Sequence, residues 1–297
     1  MASVLKAKRQ TTNLPVELPQ ALLEPPAAPA TPSPAPRAVL LFDIDGVIRD
    51  VGASYRRATI ETVHHYGGWR PDAAAIDALK AEGIWNNDWH ASLELLRRGG
   101  LDPLPPLERL VEVFSAFYFG GDPGGDSSQW RGFIGQEPLL VEPAFFAALS
   151  GRGVAWGFVS GAEPPSARYV LQQRLGLVDP PLIAMGDAPD KPDPSGLLRL
   201  ATELLAPWGL ALGADAPPVA YLGDTVADVH TVLRARQAVA QQAYLSLAVA
   251  PPHLQAPGAE ERRTVYEAQL QRAGADVVIG HTHQVLEALS APSPPGP

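Results

Sequence analysis

Four aspartates stand just beyond two short apolar runs, at positions where a strand would end. Asp43 and Asp45 follow the run AVLLF, and Asp224 and Asp228 follow the run VAYL. Residues two apart at an extended strand tip project to the same side, so Asp43 and Asp45 are expected to lie together. Clustered carboxylates repel one another unless a cation joins them, and an all-oxygen donor set suits a hard ion. The spacing therefore predicts a Mg²⁺ site built from Asp43, Asp45, Asp224 and Asp228.

Groups suited to binding phosphate follow two further apolar runs. Ser160 and Gly161 come directly after VAWGFV, and Lys191 lies in the segment KPDP, which follows LIAM after a short loop. The serine hydroxyl and the backbone N–H groups near Gly161 can donate hydrogen bonds to phosphoryl oxygens. Lys191 would bring a compact positive charge to the same oxygens. Ser160, Gly161 and Lys191 are therefore predicted to bind phosphate.

Together these residues could carry out phosphoryl transfer. A metal beside Asp43 would reduce the repulsion between its carboxylate and an anionic phosphate ester, so that Asp43 could attack and form an aspartyl-phosphate. Asp45 is placed to protonate the leaving oxygen and later to accept a proton from the attacking water. The predicted catalytic residues are Asp43, Asp45 and Lys191, and the predicted substrate is a small phosphorylated molecule.

The pattern of apolar runs indicates the fold that would position these residues. Short runs bounded by turn residues alternate with helix-like segments, as in a parallel sheet covered on both faces. The runs are 38–42, 154–159, 182–185, 219–222, 244–249 and 276–279, with helices predicted over 194–206 and 225–235. We therefore predict an α/β fold with a doubly wound parallel sheet, formed by residues 37–53 and 137–297. Ligands bind at the carboxyl ends of the strands in such sheets, where the polar residues stand.

The segment 54–136 contains no convincing strand and is predicted to form an all-helical cap domain inserted after the first strand. Capping and breaking residues predict the bounds of its helices: one from Ser54, as a cap, to Gly67, one from Pro71 to Gly83, and two that begin near Asp88 and Pro106.

Four side chains of this insert are candidates for contacting the substrate: Arg56, Trp85, Asn86 and Asn87. Packing within the cap is the alternative interpretation for them. The Pro/Ala-rich residues 1–36 are predicted to form a flexible tail.

Composition narrows the possible partners. The chain has 297 residues, a formal net charge of −9 and a pI near 5.2, which argues against nucleic acid or an anionic membrane as partner. It has no cysteine, so disulfides and thiolate metal sites are excluded. No apolar run approaches the roughly 18 residues of a membrane-spanning helix. We expect a cytoplasmic protein whose partner is a small molecule.

The four motifs resemble those of the haloacid dehalogenase superfamily. They are DIDGV from Asp43, the strand-end Ser160, KPDP from Lys191 and GDTVAD from Gly223, and they occur in the family's order. The resemblance covers about residues 38–290. It implies a Rossmann-like core with a helical C1-type cap between the first two motifs.

The resemblance also implies a mechanism: an aspartyl-phosphate on Asp43, with Mg²⁺ held by Asp43, the backbone carbonyl of Asp45 and Asp224. Members that remove halides lack the second aspartate and the metal-binding pair, so Asp45 and Asp224 favour the phosphatase branch. A phosphomutase on the same core is one alternative. A non-catalytic phosphate-binding or regulatory protein with this fold is another.

Helix capping is a simpler explanation for two of the predicted site residues. Ser160 stands three residues before Glu163, and Thr225 stands three before Asp228, so both segments match the S/T-x-x-D/E capping box. From the sequence alone, Ser160 and Asp228 could serve the helix ends, the site or both.

Overall fold

The computed structural model describes residues 34–82, 85 and 87–288. Most of the predicted tail, residues 1–33, lies outside the described residues, and so do the last residues, 289–297. No helix in the described part of the chain combines the length and apolar character that crossing a bilayer requires.

Six strands form a single parallel sheet, as predicted. They are β1 (Ala38–Phe42), β2 (Val154–Val159), β3 (Leu182–Ile183), β4 (Val219–Gly223), β5 (Tyr244–Val249) and β6 (Val277–Ile279). Their order across the sheet is β3-β2-β1-β4-β5-β6, and every neighbouring pair is parallel. The chain winds outward in both directions from β1 and β4. The predicted α/β class and doubly wound topology are therefore confirmed.

Helices cover both faces of this sheet. One face packs against α5 (Pro143–Gly151), α6 (Pro164–Arg168, extended by a π-helical turn over Tyr169–Arg174) and α10 (Val285–Ala288). The other packs against α7 (Ser195–Leu205) and α8 (Val226–Ala238), and α9 (Glu260–Ala273) packs beside α8 and β5.

Strand β1 shows why the strands consist mainly of apolar residues. Leu40 and Phe42 face the core that contains α5, whereas Val39 and Leu41 face the core that contains α7, as the two-residue period of a strand requires. All five residues of β1 are buried. A central parallel strand has no solvent face, which explains why AVLLF carries no polar residue.

Four helices form the insert between β1 and β2: α1 (Ser54–Gly67), α2 (Ala73–Ala81), α3 (Asp88–Arg98) and α4 (Leu107–Tyr118). Short 3₁₀ turns at Ser127–Gln129 and Phe133–Gln136 complete it. The helices bury an apolar cluster of their own, consisting of Val63, Ile76, Leu79, Ala91, Leu95, Leu96 and Leu110. We refer to residues 54–136 as the insert; its boundaries as a separate domain remain a prediction.

Two local predictions were wrong. Strand β3 ends at Ile183 rather than at residue 185, because the backbone N–H of Ala184 donates to Oδ2 of Asp187 at 2.9 Å and the chain turns away. Ser54 does not cap α1: Ala53 occupies the N-cap position and no side chain caps this end. The Ser54 hydroxyl instead donates to the carboxylate of Glu137.

We expect the end of β1 to be the most sensitive point of the core. The Phe42 ring lies 5.8 to 6.0 Å from the rings of Phe145, Phe146 and Phe158. Phe42→Ala would leave a cavity there and should lower the free energy of unfolding by about 4 kcal/mol. Urea denaturation measures this loss. Phe42→Leu should cost clearly less, and equal losses for the two variants would contradict the assigned packing.

Candidate active site

The site lies where the strand order reverses, between the carboxyl ends of β1 and β4. Asp43 follows β1 directly, and its backbone N–H donates to the carbonyl of Leu222 in β4 at 2.9 Å. Asp224 follows β4. In a doubly wound sheet, loops diverge at such a point and leave a crevice for ligands.

The carboxylate of Asp43 is held on both oxygens. Oδ1 accepts a hydrogen bond from the N–H of Ile44 at 2.8 Å, and Oδ2 lies 3.0 Å from Nζ of Lys191. The residue is only 6% exposed. Burial raises the pKa of Asp43 to about 6, because the loss of water outweighs the attraction of Lys191.

Lys191 connects Asp43 to Asp228. Its Nζ lies 2.6 Å from Oδ1 of Asp228 and donates to the hydroxyl of Tyr221 at 3.1 Å. Burial alone would lower the pKa of Lys191, but Asp228 and Asp43 hold it well above its usual value. The lysine therefore keeps its charge, as its predicted role toward phosphoryl oxygens requires.

Tyr221 is a member of this group that sequence analysis missed. Its side chain is buried, and its hydroxyl lies 2.8 Å from the carbonyl oxygen of Val159 and 3.0 Å from Oδ1 of Asp228. A tyrosine inside a buried aliphatic strand needs a partner for its hydroxyl, and this was the available signal. Tyr221 thus fixes Asp228 and Lys191 relative to β2.

Asp228 serves both a helix and the site. Thr225 and Asp228 form the capping box at the start of α8, with the N–H and the hydroxyl of Thr225 donating to Oδ2. Burial would raise the pKa of Asp228, but Lys191 and Thr225 outweigh it and hold the pKa below its usual range. Both carboxylate oxygens of Asp228 already accept hydrogen bonds. We therefore expect Asp228 to contribute negative charge to the site rather than an oxygen that coordinates a metal.

Asp224 differs from Asp43 and Asp228 in that it forms no ion pair with the described part of the chain. Carboxylate oxygens of Asp43, Asp224 and Asp228 lie within 4.8 Å of one another. Among the described residues, no N–H or O–H group donates to the Asp224 carboxylate. Burial and the neighbouring carboxylates raise its pKa well above the usual value. Oxygen donors with uncompensated charge fit a hard divalent ion.

Gly46 makes room for this carboxylate. A Cβ at position 46 would lie 2.1 Å from Oδ2 of Asp224, and the backbone there has a φ of +74°. The close approach and the left-handed conformation both require glycine.

Asp45 lies apart from the three clustered carboxylates. Its Oδ1 accepts a hydrogen bond from Nε of Arg49 at 2.7 Å, and its side chain is 27% exposed. Arg49 is fully buried and was not singled out by sequence analysis. An arginine that directly follows the apolar pair Val47 and Ile48, four positions after Asp45, was the signal that could have identified it.

Ser160 and Gly161 follow β2, the strand beside β1. The Ser160 N–H donates to the carbonyl of Ile183, and its Oγ accepts from the N–H of Ala162 at 3.2 Å. The capping box with Glu163 does not form, because α6 begins at Pro164 and Glu163 makes no side-chain cap. Phosphate binding by Ser160 and Gly161 remains a prediction.

A family model for haloacid dehalogenase-like hydrolases matches residues 38–236. The chain belongs to this family. The match spans β1 to most of α8 and so includes every predicted catalytic residue. The sequence-based recognition is confirmed.

Other proteins resemble this haloacid dehalogenase-like hydrolase over part or most of its length. A protein from Phytophthora nicotianae described as imidazoleglycerol-phosphate dehydratase is 32% identical over 199 residues, covering 66% of this chain and 41% of that protein. The chain thus spans less than half the length of this relative.

Several solved structures share the fold. A phosphatase from Thermococcus thioreducens has a TM-score of 0.55 at 19% identity, covering 69% of this chain and 91% of its own. A phosphonoacetaldehyde hydrolase-like protein from Oleispira antarctica has a TM-score of 0.60 at 17% identity, covering 86% and 92%. A candidate β-phosphoglucomutase from Thermotoga maritima has a TM-score of 0.56 at 16% identity, covering 85% and 98%. At these identities the likeness establishes a common fold.

The proposed substrate residues of the hydrolase's insert have structural contacts. Oδ1 of Asn87 accepts hydrogen bonds from the backbone of Trp89 and His90 and caps α3. The Trp85 indole donates to Glu82 at 2.9 Å and packs against the insert's apolar cluster. Arg56 lies half-buried on α1, and Asn86 lies outside the described residues. Their role toward a substrate remains a prediction.

Removing the charge of Asp224 and removing that of Asp228, the two aspartates of the GDTVAD motif, should change the free energy of unfolding in opposite directions. With divalent cations chelated, Asp224→Asn removes a half-buried like charge and should raise the free energy of unfolding by about 1 kcal/mol. Asp228→Asn breaks the buried pair with Lys191 and should lower it by about 3 kcal/mol. Urea denaturation in a chelator measures both. Shifts of the same sign would contradict the described charge distribution.

Proposed function

We propose that this family member is a Mg²⁺-dependent phosphomonoester hydrolase that acts on a small phosphorylated metabolite through an aspartyl-phosphate on Asp43. The observation that carries this proposal is the position of Asp43. Its Oδ2 lies 3.0 Å from Nζ of Lys191, and its carboxylate lies within 4.8 Å of that of Asp224, for which the described residues provide no ion-pair partner. A nucleophilic carboxylate, a positively charged ammonium group and a carboxylate that could hold a cation therefore meet between the ends of β1 and β4.

The proposed metal ligands are Asp43 and Asp224, with the backbone carbonyl of Asp45. Asp228 would add negative charge while keeping its hydrogen bonds to Lys191 and Thr225. When bound, Mg²⁺ would reduce the charge that an anionic ester and a carboxylate present to each other.

In the first step, a carboxylate oxygen of Asp43 attacks phosphorus, and the bond from phosphorus to the ester oxygen breaks. Asp45 gives its proton to the departing oxygen. Lys191, and the hydroxyl of Ser160 with the N–H groups beside it, would bind the phosphoryl oxygens as their charge rearranges.

In the second step, water attacks phosphorus of the aspartyl-phosphate and gives a proton to Asp45. The bond from phosphorus to the Asp43 oxygen breaks, which releases inorganic phosphate and restores both carboxyl groups. Asp45 thus returns to the protonated form with which the cycle began.

A phosphomutase is the second candidate function. The observation that favours it is the shared fold with the candidate β-phosphoglucomutase from Thermotoga maritima. Such an enzyme would return the phosphoryl group of Asp43 to a hydroxyl of a sugar phosphate instead of transferring it to water. Isomerised sugar phosphate in place of free phosphate would identify this activity.

Phosphate release should depend on both Mg²⁺ and Asp43. We expect the chain to release inorganic phosphate from at least one member of a panel that includes 4-nitrophenyl phosphate, phosphoglycolate, sugar phosphates and imidazoleglycerol phosphate. The last is included because the Phytophthora relative is named for it. Asp43→Asn should lower the rate by about 10⁴-fold or more.

Beryllofluoride, which mimics a phosphoryl group on an aspartate, distinguishes an enzyme from the non-catalytic alternative. A chain that neither turns over the panel nor binds beryllofluoride in the presence of Mg²⁺ would be a binding or regulatory protein. Phosphate release that survives in Asp43→Asn would rule out the aspartyl-phosphate.

Stabilisation by Mg²⁺ should depend on pH with a defined sign. Because the pKa of Asp43 is raised from 3.8 to about 6, its contribution to stability without metal is complete below pH 3.8 and is lost as the pH rises to about 6. At the proposed site, the charge of a bound Mg²⁺ would take the place of this proton on the Asp43 carboxylate. Saturating Mg²⁺ should therefore raise the melting temperature by about 5 °C at pH 7.5.

At pH 5 the rise should be smaller, since protons compete for the same oxygens. Differential scanning fluorimetry measures both values. Asp224→Asn serves as the control variant, and it should remove most of the rise at pH 7.5. A shift that is larger at pH 5 than at pH 7.5 would contradict the proposed ligands.

A further inference from the structure

A second group of buried charges lies behind Asp45. Arg49 is fully buried, and its guanidinium donates three hydrogen bonds to three different residues. Nε donates to Oδ1 of Asp45 at 2.7 Å, Nη1 to Oε2 of Glu137 at 2.9 Å, and Nη2 to Oγ of Ser166 at 2.8 Å. A planar guanidinium engaged on all three nitrogens has no remaining freedom to rotate.

Glu137, the principal partner of Arg49, is fixed in its turn. Its side chain is buried, and Oε1 accepts hydrogen bonds from the hydroxyls of Ser54 and Tyr118. The Tyr118 hydroxyl also lies 3.1 Å from Oγ of Ser166, the third partner of Arg49. We call Arg49, Glu137, Ser166, Ser54 and Tyr118 the Arg49 cluster.

The members of the Arg49 cluster come from distant parts of the chain. Arg49 and Ser54 lie where the chain leaves β1 and enters the insert, and Tyr118 ends α4 of the insert. Glu137 lies where the chain returns from the insert, and Ser166 lies on α6 beside the sheet. Both connections between sheet and insert therefore converge on one guanidinium.

The Nε–H group of Arg49 donates to a residue outside the Arg49 cluster. Arg49 would be neutralised by Glu137 alone, and Ser166 satisfies a further donor. The bond from Nε reaches Asp45, whose side chain is 27% exposed and which sits two residues beyond the proposed nucleophile. That bond holds Oδ1 in place, whereas Oδ2 accepts no hydrogen bond from the residues that the structure describes.

We propose that Arg49 is a positioning residue that holds the carboxyl group of Asp45 in the orientation from which it exchanges protons with the reacting oxygens. The inference rests on the proposed function, in which Asp45 protonates the leaving oxygen. Glu137 and Ser166 act through Arg49, because they fix the plane of its guanidinium.

A comparison of leaving groups separates positioning from a merely structural role. Phenol, with a pKa of about 10, needs a proton as it departs, whereas dinitrophenol is a far weaker base and does not. With saturating Mg²⁺, Arg49→Met should lower kcat/KM for phenyl phosphate by about 100-fold. It should change kcat/KM for 2,4-dinitrophenyl phosphate little. Because kcat/KM reports transfer to Asp43 only, the later hydrolysis step does not obscure the result.

Two further variants calibrate the measurement. Asp45→Asn removes the proposed acid itself and should give the same selective loss. Arg174→Met removes a matched arginine, which donates to the backbone carbonyl of Glu137 but has no contact with Asp45. It should affect both esters equally, if at all.

Loss of Arg49 alone leaves Glu137 buried without its cation, and the variant could misfold for that reason. A double variant avoids this unpaired charge. Arg49→Met/Glu137→Gln removes both charges and keeps an oxygen for Ser54 and Tyr118. It should show the same selective loss as Arg49→Met. An equal loss for both esters, in a folded variant with Asp43→Asn inactive and the wild type active, would overturn the inference and leave the proposed function intact. Wild-type protein inactive on both esters and on every member of the phosphate panel would overturn both.

Discussion

The negative charge buried between the ends of β1 and β4 is the constraint on which the site depends. Asp43, Asp224 and Asp228 bring carboxylate oxygens within 4.8 Å of one another. Burying such groups is costly unless cations or donors face them. Lys191 neutralises part of the charge, but burial and mutual repulsion still raise the pKa values of Asp43 and Asp224. The charge balance of these strand tips is completed by protons or by a further cation.

The interactions that hold Lys191 also hold the sheet and its helices. Asp228 pairs with Lys191 and caps α8, while the Tyr221 hydroxyl connects β4 to the carbonyl of Val159 in β2. A change in any of these groups therefore alters packing as well as the electrostatics around the lysine. The same side chains therefore contribute both to the stability of the fold and to the electrostatics of the site, as is common where perturbed pKa values cluster.

The insert meets the sheet through polar contacts of a different kind. The Arg49 cluster joins both chain connections of the insert to α6, and its hydrogen bonds are all buried. Buried polar networks of this kind are stable only when every member is satisfied, and then they define one geometry. Because Asp45 belongs to the periphery of this network, its orientation follows from how the insert is joined to β1.

The sequence by itself determined the strands and the place of the aspartates. The bounds of β1 and β2 follow from continuous apolar runs between turn residues, because a parallel strand that is covered on both faces buries mainly apolar side chains. Tertiary structure alone decided which groups face one another. Arg49 meets Glu137 from 88 positions away, Tyr221 reaches the carbonyl of Val159, and Asp228 serves both α8 and Lys191. Local periodicity specifies which residues are buried, whereas the partners of a buried polar group are set by segments that only folding brings together.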